Sequence, residues 1–419
     1  MILKIKKYKF YLFVFILIFI FSFMNSFFVY CSKPANVNGK TNAFEKCSSY
    51  FDFSSLMNTL KDIPEKPSRE LLNKISKDMS DEFYDIILNS ISENDKEEDI
   101  KVCLSYILDD IEQKKQLLEE FKEKIQCCSK ILRDERTFVT IKNIKNIIIV
   151  GDLHGDSDST NKYVKEIEKL FKNGELDHVV FLGDYIDRGP DSIQVLSLVV
   201  DLKLRFPNKV TLLRGNHETQ SMFLSQGKDG ANHEINYVFY SLAERYIVDL
   251  KEALMEWFNS LPLAADIEIS SPDLKESKKI LALHGGIPCC EFSDYNNNES
   301  IWKEFMNLKD TCERCSVDKS DLIGKQILWN DFDFEKFLIC NIFNFYRSCG
   351  KIVSIKTLEN FCECYKYDFI VRGHTFLETT PIYNLDNKCY TIFSASNYMG
   401  FDNVGCIAYF DYNMIGRTI

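Results

Sequence analysis

Two hydrophobic rhythms divide the chain. From Ile107 to Ile131, apolar residues recur at helical spacing (Ile107, Ile111, Leu118, Phe121, Ile125) with charged residues between them. This pattern predicts a long amphipathic helix within a charged helical extension over residues 54–136. The rhythm changes at Thr137. Short apolar runs now alternate with helical stretches: 146–150, 179–182, 210–213, 280–283, 369–371, 390–393 and 406–410. Runs of this kind, bounded by glycine and aspartate, predict the buried strands of an α/β or layered-sheet domain over residues 137–419.

The N-terminus follows a third pattern. Lys4, Lys6, Lys7 and Lys9 precede an apolar block that starts at Phe10 and continues with few polar breaks to Tyr30. A basic region followed by an apolar one predicts a cleaved signal peptide or a signal anchor over residues 1–31. A polar linker, residues 32–53, follows. The lysines favour a cytosolic N-terminus. The expected location is therefore the secretory pathway or endomembrane, with single-pass membrane anchoring as one form of it.

Composition narrows the partners. Acidic residues outnumber basic ones by 62 to 51, for a net charge of -11, which argues against nucleic acid as a partner. Fifteen cysteines are scattered along the chain, and buried thiols are the default reading. The pairs Cys312/Cys315 and Cys362/Cys364 leave half-sites for zinc, or disulfides, as alternatives. Asn298-Glu299-Ser300 is a formal glycosylation sequon on an expected surface loop.

The chemistry gathers at strand ends. In chain order these read Gly151-Asp152-Leu153-His154-Gly155, Gly183-Asp184-Tyr185-Ile186-Asp187-Arg188-Gly189, Arg214-Gly215-Asn216-His217-Glu218, His284-Gly285-Gly286, Arg372-Gly373-His374 and Ser394-Ala395-Ser396-Asn397-Tyr398. Four of the six histidines occupy these positions. A set of Asp, His and Asn ligands suits Mn²⁺, Fe or Zn²⁺ and is unlike an all-oxygen calcium cage. Two ligand sets can be drawn with Asp184 shared, as in two-metal phosphate hydrolysis. Arg188 and Arg372 suggest an anionic substrate, because the guanidinium fork matches phosphate oxygens.

This ordered motif set resembles the PPP family of serine/threonine protein phosphatases, the calcineurin-like metallophosphoesterases, over residues from about Thr137 to Phe410. The resemblance implies a central β-sandwich flanked by helices, with the N-terminal helical extension added. It implies two divalent metal ions (Mn, Fe or Zn), with Asp152 and His154 on one, Asp184 bridging, and Asn216, His284 and His374 on the other. Phosphoserine and phosphothreonine on proteins would be hydrolysed by a hydroxide bridging the ions. His217 would be the general acid, oriented by Asp187, while Arg188, Arg347, Asn216 and Tyr398 contact the substrate. Glu218 is expected to accept hydrogen bonds behind the ligands. Several positions depart from the family pattern: Asp156 replaces a glutamine, Phe332 follows Asn330-Asp331, Ser348 follows Arg347, and residues 219–236 look like a small insertion. Two other functions fit parts of the pattern, a dinucleoside-tetraphosphate hydrolase and an inactive scaffold that binds phosphoproteins. The resemblance names no regulatory subunit.

Overall fold

The computed structural model describes residues 97–273, 275–290, 295–308, 322–413 and 417–418, together with Lys77, Met79, Ser80, Asp81 and Phe83. The N-terminal apolar block, the linker and the Cys312/Cys315 pair lie outside the described residues. Among the described residues, no helix is long and apolar enough to cross a membrane.

The chain divides into two compact units, one reaching Leu118 and taking in Phe239–Ile247, the other comprising Glu119–Val238 and Val248 onward. In the first, Met79 pairs with Leu242 in an antiparallel bridge. The Phe83 and Tyr240 rings meet edge-on with centroids 5.1 Å apart, and Lys114 Nζ lies 5.3 Å from the Tyr240 ring. Helix α1 (Glu97–Asp134) carries the predicted apolar stripe. Ile111, Leu118, Phe121, Ile125, Cys128 and Leu132 are buried along one face, the spacing an amphipathic helix requires.

The second unit is built on two main sheets. One takes β2 (Asn146–Val150), β3 (His178–Phe181), β4 (Val210–Leu212), β13 (Ile407–Asp411) and β14 (Arg417–Thr418) in the order β14-β13-β2-β3-β4. The other takes β1 (Phe138–Ile144), β5 (Ala264–Ser270), β6 (Ser277–Leu283), β10 (Phe369–Arg372), β11 (Ile382–Leu385) and β12 (Cys389–Ile392) in the order β1-β5-β6-β10-β12-β11. Each sheet contains three consecutive parallel strands, β2-β3-β4 in the first and β6-β10-β12 in the second.

Side chains that alternate along a strand point to opposite faces. Ile147 and Ile149 of β2 join Ile267 and Ile269 of β5, Ile280 and Ala282 of β6, and Phe369 and Val371 of β10 in one core between the sheets. Leu281, Leu283 and Ile370, on the opposite face, pack with Trp302, Phe305, Ile327, Leu358 and Phe361 from α7 (Tyr295–Asn307), α8 (Leu322–Trp329) and α9 (Ile355–Tyr365). The five-stranded sheet also buries Ile148, Val150, Val179 and Phe181. Helices α2 (Ser157–Asn173) and α3 (Ser192–Arg205) follow β2 and β3, each started by an aspartate that accepts a backbone N–H. The result is the expected α/β sandwich between helical layers.

Two local expectations are corrected, and two strands were missed. Asn298 does not sit on a surface loop. It is fully buried in α7, and its Oδ1 accepts from Cys290 N at 2.7 Å, so it is no glycan acceptor. Cys362 and Cys364 lie two apart on α9, one buried and one exposed. Positions two apart on a helix face away from each other, so they share neither a metal nor a disulfide. Strands β1 and β5 had no counterpart among the predicted runs. Their apolar residues are broken by Thr140, Lys142, Asp266 and Glu268, which hides them from a search for continuous apolar runs.

Candidate metal centre

The parallel strands of both sheets bring their C-terminal ends to one place. The two sheets are stitched together there by Gly151 N donating to Ser394 Oγ (2.8 Å), Ser394 N to Asp152 O (3.1 Å) and His374 N to Asp152 Oδ1 (2.8 Å). A side chain on Gly151 would collide with Ile392 O at 2.1 Å, and one on Gly215 with the Asp184 backbone and carboxylate at 2.2 Å. Glycine is thus required at both places for the sheets and loops to approach this closely.

Three donor atoms form the tightest corner. Asn216 Oδ1 lies 2.9 Å from His284 Nε2 and 2.8 Å from His374 Nδ1, and the two ring nitrogens are 3.1 Å apart. His284 Nδ1 sits 3.0 Å from Leu182 O, a carbonyl that can only accept, so this nitrogen carries the hydrogen. In the neutral ring Nε2 then offers its lone pair toward the Asn216 oxygen and the His374 nitrogen. A cation between them relieves that crowding, and ligands ~2.1 Å from one ion at right angles would lie ~3 Å apart.

The adjoining corner repeats the logic more loosely. His154 Nδ1 is 3.0 Å from Ile186 O, which leaves Nε2 facing carboxylate oxygens: Asp184 Oδ2 at 3.5 Å and Asp152 Oδ2 at 3.9 Å. The same Asp184 Oδ2 lies 3.4 Å from His284 Nε2, so one oxygen looks into both corners. Two groups of candidate donors result, His154-Asp184-His217 and Asp184-His284-His374, each within 4.8 Å and fully buried. In both corners a ring N–H is fixed on a backbone carbonyl, the arrangement that presents a histidine to a metal. The donor set thus fits two divalent cations that share Asp184.

Electrostatics agree with a site built around positive charge. Burial and the neighbouring Asp184 push Asp152 up to about 6, the effect of two carboxylates crowded in one buried site. Burial, with His217 nearby, lowers His154 to about 3, leaving it a neutral ligand. Glu218 is fully buried, and burial beside Asp184 raises it to about 7. Its oxygens accept from Asp184 N (2.8 Å), Gly215 N (3.0 Å) and Tyr185 N (2.9 Å), tying the β3 and β4 loops together.

His217 stands beside the donors. Its N–H donates to Asp184 Oδ1 at 3.0 Å, and its Nδ1 meets Asp187 Oδ2 at 2.7 Å. Burial opposes its charge, but Asp184 and Asp187 outweigh burial and raise it above the ordinary imidazole value. The Tyr398 ring lies 5.1 Å from that of His154, and burial pushes its hydroxyl up to about 12.

The three arginines take different roles. Arg188 is half-buried beside Tyr398 and His154, and its buried Nε has no hydrogen-bond partner among the described residues. Arg347 reaches the rim, with Nη2 donating to His374 O at 2.9 Å and Nε to Asp331. Arg372 corrects the sequence reading. It is fully buried, and it donates to Gly285 O, Thr375 Oγ1 and Asp331 Oδ1, so no part of the fork is left for a substrate. Asp331, which carried no expectation, holds both Arg347 and Arg372. Burial opposes its charge, but the Arg372 guanidinium, with Arg347 beside it, keeps it well below the usual carboxylate range. The sequence signal was an acidic residue two positions after Trp329, the apolar end of α8.

A profile of calcineurin-like phosphoesterases matches residues 145–376, more than half of the chain. The chain belongs to this family. Among curated proteins this phosphoesterase is 28% identical, over 60% of its length, to the serine/threonine-protein phosphatase PP2A-like PPG1 of Candida albicans. It is 27% identical, over 64%, to a putative serine/threonine-protein phosphatase of Caenorhabditis elegans. The match spans 52% of each of these relatives, about half their length. A solved protein serine/threonine phosphatase from Saccharomyces cerevisiae, described as similar to human phosphatase PP5, shares the fold. Its TM-score is 0.53 at 23% identity, covering 70% of this chain and 82% of that one.

Proposed function

We propose that this phosphoesterase removes phosphate from phosphoserine and phosphothreonine on proteins, using two divalent ions drawn from Mn, Fe or Zn. Asp152 and His154 would hold one ion, Asn216, His284 and His374 the other, and Asp184 both. When bound, such ions act as Lewis acids and lower the pKa of water toward neutrality. The observation that carries the reading is that a buried donor cluster with a shared carboxylate lies beside the unpartnered Nε of Arg188 and the paired His217 and Asp187.

The chain's own residues supply the rest. Asp187 accepts the Nδ1 hydrogen of His217, which leaves a proton on Nε2 for the departing serine or threonine oxygen. Arg188 and Arg347 grip phosphate oxygens, while Asn216 and Tyr398 line the phosphate. The curated relatives carry serine/threonine-protein phosphatase names, which favours protein substrates over dinucleotides.

Phosphate release from a phosphoserine peptide in Mn²⁺, with His217→Asn beside the parent, tests this reading. The parent should hydrolyse the peptide, and the variant should lose ~10²- to 10⁴-fold in kcat. Cleavage of diadenosine tetraphosphate alone would move the substrate to dinucleotides. Metal retention without cleavage of either would leave a phosphoprotein-binding scaffold. The basic and apolar N-terminal segment supports a place for this enzyme in the endomembrane system, with the catalytic domain lumenal. Digestion of that domain by protease in sealed membranes without detergent would overturn the placement.

A further inference from the structure

We infer that residues 226–238, most of them within the stretch 219–236 that departs from the family pattern, form a strap that positions the acid through Asp187, with Glu234 as its main contact. The inference rests on the phosphatase reading above.

The strap consists of the 3₁₀ turn Gly227–Asp229 and helix α5 (Ala231–Val238), which follow the short helix α4 (Gln220–Ser225). It grips the loop after β3 at consecutive points. Arg188 N donates to Asp229 O at 2.7 Å, and Ala231 N donates to Asp187 Oδ1 at 2.8 Å. The Glu234 carboxylate accepts both Ser192 N (2.8 Å) and Ile193 N (3.1 Å), while Ser192 Oγ accepts Asp187 N at 3.2 Å. The Asp187 carboxylate thus takes the strap on one oxygen and His217 on the other.

The loop needs this support. Asp187 and Arg188 are consecutive non-glycine residues with left-handed φ of 69° and 73°. Such a pair persists only where its surroundings over-determine it. Glu234 touches neither the donor cluster nor the arginine's guanidinium. It acts through Ser192 on Asp187, and is a positioning residue.

A leaving-group comparison separates positioning from mere stability. A serine alkoxide needs the proton of His217, whereas p-nitrophenolate departs without one. In Glu234→Ala, the kcat/KM ratio of phosphoserine peptide to p-nitrophenyl phosphate should fall ~10-fold. Glu234→Gln keeps one acceptor oxygen and should recover part of that loss. Replacing exposed His233, on the same helix, with Ala should leave the ratio at the parent value. An equal fall on both substrates, or an unchanged ratio in a folded Glu234→Ala protein, overturns the inference. If Glu234→Ala does not fold, a parental ratio in Glu234→Gln overturns it instead. Should the parent ignore the phosphopeptide, the phosphatase reading fails by itself, and phenyl phosphate against p-nitrophenyl phosphate still tests the strap.

Discussion

The parallel strands of the two sheets carry similar polar residues at both ends, yet the ends behave differently. At the N-terminal ends Asp177, His178 and Asp368 are each paired with a neighbour. Asp177 accepts from Lys145 N at 2.7 Å and donates its own N–H to Asn146 Oδ1 at 2.9 Å. His178 meets Thr211 Oγ1 at 2.9 Å, and Asp368 takes Lys279 N at 2.8 Å and the Lys278 ammonium at 3.2 Å. At the C-terminal ends, atoms able to bind a metal crowd together across 2.8–3.1 Å. There His154, Asp184, Asp187, Arg188 and His374 all adopt left-handed φ. Polarity at a strand end therefore does not mark the centre. Convergence without partners, held on strained backbone, does.

The comparison can be broken hardest at Asp184, whose Oδ2 faces both corners. Asp184→Ala should take phosphate release below detection while the sandwich still folds, because the core between the sheets does not include this side chain. Phosphate assay and circular dichroism on the same sample check both halves of that statement.

A sharper test uses the two arginines on Asp331. Arg372 is fully buried and Arg347 partly exposed. Removing Arg372 leaves Asp331 without its fully buried partner, so Arg372→Ala should lose ~3–5 kcal/mol of stability. Arg347→Ala should cost far less stability and should instead raise KM for the phosphopeptide ~10-fold, the loss of one charge-assisted phosphate contact. Denaturant melts and steady-state kinetics distinguish the two.

The smallest effect belongs to the paired end. Burial, with Lys203 and Lys209 nearby, lowers His178 to about 3 from an ordinary value of 6.5. Between these values the unfolded chain binds the extra proton, so stability is full above pH 6.5 and is lost as pH falls. At pH 5 the loss from this group is ~2 kcal/mol. His178→Gln should flatten that part of the melting-temperature profile and leave phosphate release at neutral pH unchanged.

Much of this was legible in the sequence, for identifiable reasons. Buried parallel strands are continuous apolar runs, so β2, β3, β6, β10 and β12 could be read directly, and the Gly-flanked polar clusters after them marked where the loops turn. Glu218 was readable as an acceptor from its place beside the candidate ligands, and the backbone N–H groups of Asp184, Tyr185 and Gly215 are what it accepts from. Strands β1 and β5 alternate apolar with polar residues and so were passed over by a search for continuous apolar runs, while the two-residue strands β7 (Asp331–Phe332) and β8 (Ile342–Phe343), which pair with β9 (Lys351–Val353), are too short to show a period. Arg372 was misread because spacing reveals that an arginine adjoins a strand end, not whether Gly285, Thr375 and Asp331 already occupy its donors. The strap was invisible for a related reason. Each of its contacts uses a backbone N–H as donor, a group that nearly every residue type carries, so the partners of Glu234 and Asp187 leave no mark in the sequence.

The central claim is that the C-terminal strand ends form a two-metal centre, and counting ions tests it most directly. After loading with Mn²⁺ and removal of excess, elemental analysis should find two ions per parent chain, with spin coupling between them. Asn216→Ala should retain fewer than two. A parent that binds one ion or none under these conditions would contradict the account.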